Sequence, residues 1–243
     1  ALHDSSARFD PPRCHPNTRR AILDYLTEWI YGRLDEDALI MWLYGPAGVG
    51  KSAILQTIAE QCSQLNMLLA AFFFGRSDPT RNTFKPLIPT LACQTAIMIP
   101  KLKPMLESAI ERDPFIFSRT VSAQLQSLIV NPLTDLMASD CSIFACPESC
   151  ARLIIIDGLD ECADSNIQSN ILQELAGVLR SRTLPIIFLI ASRCEQQIGL
   201  TFNSTSLLGL WRSVALNYTS SSDEDIRLYL TDKFAVIKNT HPQ

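Results

Sequence analysis

Residues 45–52 read Gly45-Pro46-Ala47-Gly48-Val49-Gly50-Lys51-Ser52 and satisfy every fixed position of the pattern G-x-x-x-x-G-K-[ST]. A continuous apolar run of strand length, residues 39–44, precedes them, and a helical pattern from Lys51 to about residue 62 follows. Glycines adopt backbone angles that other residues avoid and allow close approach, so several N–H groups can converge on one anion. The N-terminus of the helix that opens at Lys51 adds a partial positive charge. In such a cradle Lys51 reaches the β- and γ-phosphates of a nucleoside triphosphate and the Ser52 hydroxyl ligates magnesium. Ala53, next in the first helical turn, is counted with the cradle. From average residue usage, a chance match somewhere in 243 residues is roughly a one per cent event.

The rest of the chain agrees with that turn. Short apolar runs at residues 68–74, 153–156, 186–192 and 214–218 read as further strands, and helical patterns alternate with them. Helices are expected at about residues 18–31, 87–99, 104–112, 121–130, 167–180 and 222–238, with Asn17 or Thr18 capping the first and Ser222 with Asp225 forming a capping box for the last. Ile22, Leu26, Trp29 and Ile30 share one face of the first. The expected fold is α/β: a P-loop NTPase with a mostly parallel five-stranded sheet and helices on both faces. At 243 residues and 47% hydrophobic, the chain suits one large domain. Residues 1–37 are read as a lead-in and helix, and 38–243 as the nucleotide-binding domain.

Charge and cysteine content narrow the function. With 21 basic and 25 acidic residues, no strongly basic face is expected, and no nucleic-acid partner. The longest apolar runs, such as residues 186–191, are far too short to span a membrane. The polar N-terminus carries His3, Asp4, Arg8 and Asp10 and does not read as a secretory signal, so a cytoplasmic location with reduced thiols is expected. The first residue is Ala1, and a fragment of a longer protein is expected. Of eight cysteines, Cys141, Cys146, Cys150 and Cys162 cluster, but without a nearby histidine or a common zinc spacing they read as reduced thiols in an exposed insertion and the core beside it.

Ligands of a parallel sheet gather at the carboxyl ends of its strands. Residues 153–156 lead into Asp157, the expected second magnesium ligand, which completes a Walker B pattern on a strand neighbouring the cradle's. Gly158-Leu159-Asp160-Glu161 follow, and either Asp160 or Glu161 stands where a carboxylate orients an attacking water. Arg193 ends the run 186–192 and is read as a sensor of the γ-phosphate, against a plain surface arginine. Arg76 and Arg81 follow the second strand and are read as a solvated loop more than as phosphate contacts. Pro16, Asn17, Thr18 and Arg19, a proline-stiffened turn just before the first helix, are read as lining the base side, against mere helix capping.

Taken together, Cys14-His15-Pro16-Asn17-Thr18-Arg19, the cradle, Asp157-Gly158-Leu159-Asp160-Glu161, Ala191-Ser192-Arg193 and the tail Asp225-Ile226-Arg227-Leu228-Tyr229-Leu230 resemble a NACHT domain of the STAND signalling NTPases. The likeness is to fungal NACHT proteins with a nephrocystin-3-like N-terminal module, and Gly158 directly after Asp157 is its more specific mark. The resemblance implies a switch that is closed with ADP and oligomeric with ATP, slow magnesium-dependent hydrolysis, and effector and repeat domains outside this chain. It also implies self-association through the domain. Cys194 stands where relatives often carry proline, and the lid of helices that normally follows is missing. ATP is expected over GTP, since no guanine-specificity motif appears. A nucleotide-binding scaffold without hydrolysis and a small-molecule kinase are the alternatives.

Overall fold

The structure, a computed structural model, describes residues 2–5, 10–140, 144, 151–217 and 220–240 of the chain. Five strands, β1 (Ile40–Tyr44), β2 (Leu68–Phe73), β3 (Leu153–Asp157), β4 (Ile187–Ser192) and β5 (Trp211–Ala215), form one sheet in the order β2-β3-β4-β1-β5. Every neighbouring pair is parallel. The helices are α1 (Arg20–Ile30), α2 (Lys51–Gln64), α3 (Leu87–Met98), α4 (Lys103–Arg112), α5 (Val121–Leu125), α6 (Asn131–Ser139), α7 (Ser165–Arg180), α8 (Gln196–Phe202) and α9 (Ser220–Thr240).

Side chains alternate across a strand, so a central parallel strand feeds two cores. Ile40 and Trp42 of β1, Ile154 and Ile156 of β3, and Phe188 and Ile190 of β4 face one core with α3, α4, α5, α7 and α8. Met41 and Leu43, Leu153 and Ile155, and Leu189 and Ala191 face the other, with α1 and α2. This is the expected parallel sheet covered on both faces.

The differences from expectation have local causes. The expected helix 121–130 runs on to Ser139: a π-helical turn at Gln126–Val130 leads directly into α6, and Pro132, which has no N–H to bond back, follows that irregular turn. α8 carries no strong periodicity and escapes notice in the sequence. β5 lies earlier than residues 214–218 and is the exposed edge strand, with Arg212 paired to Asp35. The opposite edge, β2, is closed by a side chain: Gln94 of α3 donates from Nε2 to Ala71 O at 2.8 Å and accepts from Ala71 N at 3.0 Å.

The expected cap of α1 does not form, and α9 starts two residues before the expected cap. α1 is entered through Arg19 in a left-handed conformation (φ 55°) with no side-chain cap, and the Thr18 hydroxyl donates to His15 O instead. α9 begins at Ser220, which puts Ser222 inside the helix, and the Asp225 carboxylate accepts from Arg19 N rather than closing a box. Most of the insertion expected over residues 140–149, with Cys141 and Cys146, lies outside the described residues, as do Cys150 and Tyr218. Cys162 is buried, and burial raises its thiol pKa.

Trp42 ties the sheet to α8. Its ring stacks on Phe202 at 4.3 Å, Phe202 meets Trp211 at 5.0 Å, and Trp42 Nε1 donates to Ser192 Oγ at 2.9 Å. Phe202 has no exposed surface. Phe202→Ala is expected to lower stability by about 3–5 kcal/mol, measured by urea unfolding followed by circular dichroism. A loss below about 1 kcal/mol would mean that α8 is not part of this core.

Candidate nucleotide site

Parallel pairing sends every strand's carboxyl end to the same edge of the sheet, and the chemically distinctive residues collect there. A cleft of about 310 Å³ is lined by Ala47, Gly48, Gly50, Lys51, Ser52, Ala53, Asp157, Gly158, Asp160, Glu161 and Arg193, with Pro12 at its rim. The cleft thus brings together Lys51, Ser52, Asp157, Asp160, Glu161 and Arg193, which the sequence had singled out separately. Gly45 and Val49 are buried within the turn, and Pro46 is exposed.

Each glycine of the turn has a separate reason. The chain leaving β5 runs tight under Gly45, where Leu216 N donates to Tyr44 O at 2.7 Å, and a Cβ on Gly45 would lie 2.4 Å from Leu216 O. Gly48 and Gly50 have φ of 77° and 98°, angles that turn successive N–H groups inward at the start of α2. Space is open around Gly50, so only its backbone angle demands glycine. Lys51 Nζ donates to Gly45 O and Pro46 O, both at 2.8 Å, and so lies folded across the mouth of the turn.

β3 delivers Asp157 to the cleft, buried at 6% exposure. It is not on the strand next to the cradle: β4 lies between β3 and β1, correcting the expected adjacency. The intervening strand has its own contribution, since Arg193 follows directly on β4. Gly158 adopts φ 70° and turns the chain into a short 3-10 turn, Leu159–Glu161, which presents two carboxylates with different surroundings. Asp160 is buried and committed to Arg193, whose backbone N–H donates to Oδ1 at 2.9 Å and whose Nε lies 2.9 Å from Oδ2. Glu161 accepts from Arg76 N at 2.9 Å through Oε2 and lines the cleft.

Charge in the cleft is mixed. Desolvation lowers the pKa of Lys51 from its ordinary value, the carboxylates of Asp160 and Asp157 pull it back up, and Arg193 adds to the lowering. A multiply charged anion in the turn would favour the ammonium form and so oppose that lowering. The buried carboxylate of Asp157, the Ser52 hydroxyl in the same cleft and the glycine cradle are the donor set that a magnesium–phosphate group requires. The residues present fit that group.

The two arginines after β2 serve the protein. Arg81 Nε pairs with Asp78 at 2.7 Å, and bonds from Thr80 and Arg81 hold the Asp78 carboxyl down at about 2. Arg76 Nη2 approaches Asp160 O at 3.4 Å and Glu195 at 3.9 Å. Of the N-terminal segment, Pro16, Thr18 and Arg19 are not among the cleft's lining residues, whereas Pro12 is. Arg19 nonetheless reaches the cradle from behind, with Nη2 donating to Val49 O at 3.1 Å.

Residues 18–193 match the family described as nephrocystin 3, N-terminal. The chain belongs to this family. The matched stretch runs from the start of α1 through Arg193 and encloses the cradle, Asp157 and the acidic turn. No curated protein matches the chain. Among solved structures it is similar to the Aeropyrum pernix ORC1 protein in complex with DNA, at 17% identity and a TM-score of 0.48, covering 91% of this chain and 51% of that one. It is also similar to Drosophila ORC bound to AT-rich DNA and Cdc6, at 13% identity and a TM-score of 0.49, covering 86% and 30% respectively. The chain therefore spans about half of the first structure's length and under a third of the second's. No helix among the described residues is long and apolar enough to cross a membrane. This member of the nephrocystin 3 N-terminal family carries the cradle pattern on the parallel α/β sheet of a P-loop NTPase fold.

The glycine geometry yields a paired expectation. Gly45→Ala drives a methyl group into the Leu216 carbonyl and should destabilise by more than about 3 kcal/mol. Gly50→Ala meets only an unfavourable φ and should cost about 1–2 kcal/mol. Thermal and urea unfolding of both variants checks the order, and a Gly50 variant less stable than the Gly45 variant would contradict it.

Proposed function

We propose that this chain is an ATP-binding switch module of the STAND type, with slow magnesium-dependent hydrolysis. One observation carries the reading: a single cleft gathers the phosphate cradle, Ser52, Asp157, Glu161 and Arg193. Ser52 and Asp157 would hold the magnesium ion, which when bound neutralises phosphate charge. Lys51 leaves the two carbonyls that it now contacts and moves onto the β- and γ-phosphates, exchanging neutral acceptors for charged ones.

Of the two carboxylates that follow Asp157, Glu161 is assigned to orient the attacking water. Asp160 accepts from the Arg193 backbone N–H at Oδ1 and is ion-paired at Oδ2 with the Arg193 guanidinium, 2.9 Å away. A buried carboxylate that gave up its guanidinium partner would cost more than the water contact returns. Arg193 has a side chain 38% exposed at the cleft and is assigned to the γ-phosphate, with Asp160 as the tether that aims it. The segment from Pro16 to Arg19 is assigned to the base side, a reading supported by Pro12, four residues before it, among the cleft's lining residues. Self-association through this domain, and effector and repeat domains elsewhere in a longer protein, belong to the same reading.

Glu161→Gln is expected to slow phosphate release by about 10²-fold or more while leaving MgATP affinity within about threefold, because oriented water matters only in the transition state. Asp157→Asn should weaken binding of MgATP more than binding of ATP in EDTA. Phosphate release followed without any acceptor, together with calorimetry, reads both. A Glu161→Gln variant that turns over at the wild-type rate, or an acceptor-dependent wild type, would overturn the assignment.

A further inference from the structure

The least expected contact in the molecule joins three distant parts of the chain at Arg19. Its guanidinium donates through Nη2 to Val49 O in the cradle at 3.1 Å, and its backbone N–H donates to Asp225 Oδ2 of α9 at 3.1 Å. The same carboxylate oxygen lies 3.7 Å from Arg19 Nε. Arg19 is held at φ 55°, a conformation that a side chain bearing a Cβ keeps only when its surroundings require it.

The position of the Val49 carbonyl gives this contact its consequence. A peptide group is planar, with its C=O and N–H pointing to opposite sides. The peptide that presents Val49 O to Arg19 therefore turns the Gly50 N–H away from Arg19, and Gly50 lines the cleft. With no side chain to hold it, a glycine amide at φ 98° depends on external bonds for its orientation. Arg19 supplies such a bond from outside the cradle, and its positive charge polarises the peptide in the sense that strengthens the N–H as a donor.

Asp225 is in turn part of a seat for α9. His15 Nε2 lies 2.7 Å from Asp232 Oδ2, and the His15 ring meets Tyr229 edge-on at 5.4 Å. Asp225, Tyr229 and Asp232 are spaced four and three residues apart, on one face of the helix. The strap bearing His15 and Arg19 is fixed on its other side, where Cys14 N donates to Thr57 Oγ1 of α2 at 3.0 Å. Residues 14–19 thus lie between the nucleotide loop with its helix and α9. Much of the rest of α9 is exposed, including Ile226, Leu230, Phe234 and Ile237.

We infer that Arg19 is a positioning residue for the phosphate cradle and that Asp225 holds it there, coupling nucleotide affinity to the seating of α9. The inference rests on the nucleotide-binding reading above. By reciprocity, whatever moves α9 off the strap loosens the cradle, and a nucleotide that orders Gly50 tightens α9.

The test is calorimetry of the 243-residue chain with MgATP, for wild type, Arg19→Ala, Arg19→Lys, Asp225→Ala and the Arg19→Ala/Asp225→Ala double variant. Circular dichroism checks that each is folded, and amide hydrogen exchange follows α9. Each alanine variant is expected to bind MgATP about five- to tenfold more weakly. The double variant should bind no more weakly than Arg19→Ala alone, since the two act in series. Arg19→Lys, which keeps the charge without the fork, should recover only part of the affinity. MgATP should slow exchange in α9 of the wild type and leave α9 of Asp225→Ala unchanged. If Arg19→Ala does not fold, Asp225→Ala, which retains Arg19, carries the test through both readouts. Wild-type affinity in Asp225→Ala, or losses that add in the double variant, would overturn the coupling while leaving the nucleotide site standing. A wild type that binds no MgATP would overturn the site itself and the coupling with it.

Discussion

Everything at the cleft depends on the close approach of two backbones, Gly45 at the end of β1 and Leu216 just past β5. A parallel strand that ends in a helix N-terminus must reverse direction within a few residues. Here that reversal happens against a neighbouring chain, with no room for even a methyl group. The exit of β1 is thereby fixed in height and direction, and α2 starts where its first N–H groups face the carboxyl edge of the sheet. Sheet order does the rest. β4 and β3 lie beside β1 in turn, so Arg193 and Asp157 arrive on the same edge from two different strands.

The charged groups in the cleft are arranged in pairs of unequal commitment. Asp160, only 5% exposed, is charge-paired with Arg193, as a buried carboxylate requires. Lys51 has only neutral carbonyls for company in its present position and feels the carboxylates from a distance. Glu161 accepts from one backbone N–H among the described residues, that of Arg76. A site built this way has fixed members and movable ones. In the proposed reading Asp160 sets the geometry by tethering Arg193, and Lys51, Glu161 and the tethered Arg193 carry the chemistry.

Much of this was legible in the sequence because it rests on local chemistry. The cradle pattern, the four apolar runs of β1 to β4 and Asp157 at the end of residues 153–156 each state their structural role within a few residues. What was not legible depends on distant partners. The order of strands is set by packing, so nothing near residues 186–192 says that they enter between the strands of Lys51 and Asp157. Gln94 reads as a polar residue on a helix until β2 turns out to be an edge with unpaired backbone at Ala71. Asp225 looks like a helix-capping residue, and the stronger claim of Arg19, 206 positions earlier, is visible only when the chain is folded. The choice between Asp160 and Glu161 was open in the sequence for the same reason, since the two differ only in what surrounds them.

The central claim is that the turn from Gly45 to Ser52 holds the phosphates of a nucleotide with Lys51 as its charged contact. Calorimetric titration of the chain and of Lys51→Ala with ATP, in magnesium, tests it most directly. Charge-assisted hydrogen bonds contribute about 1.5–3 kcal/mol each, so loss of the ammonium group should weaken binding by about tenfold or more, with the melting curve of the unliganded variant unchanged. Equal affinity for ATP in the two proteins would contradict the account.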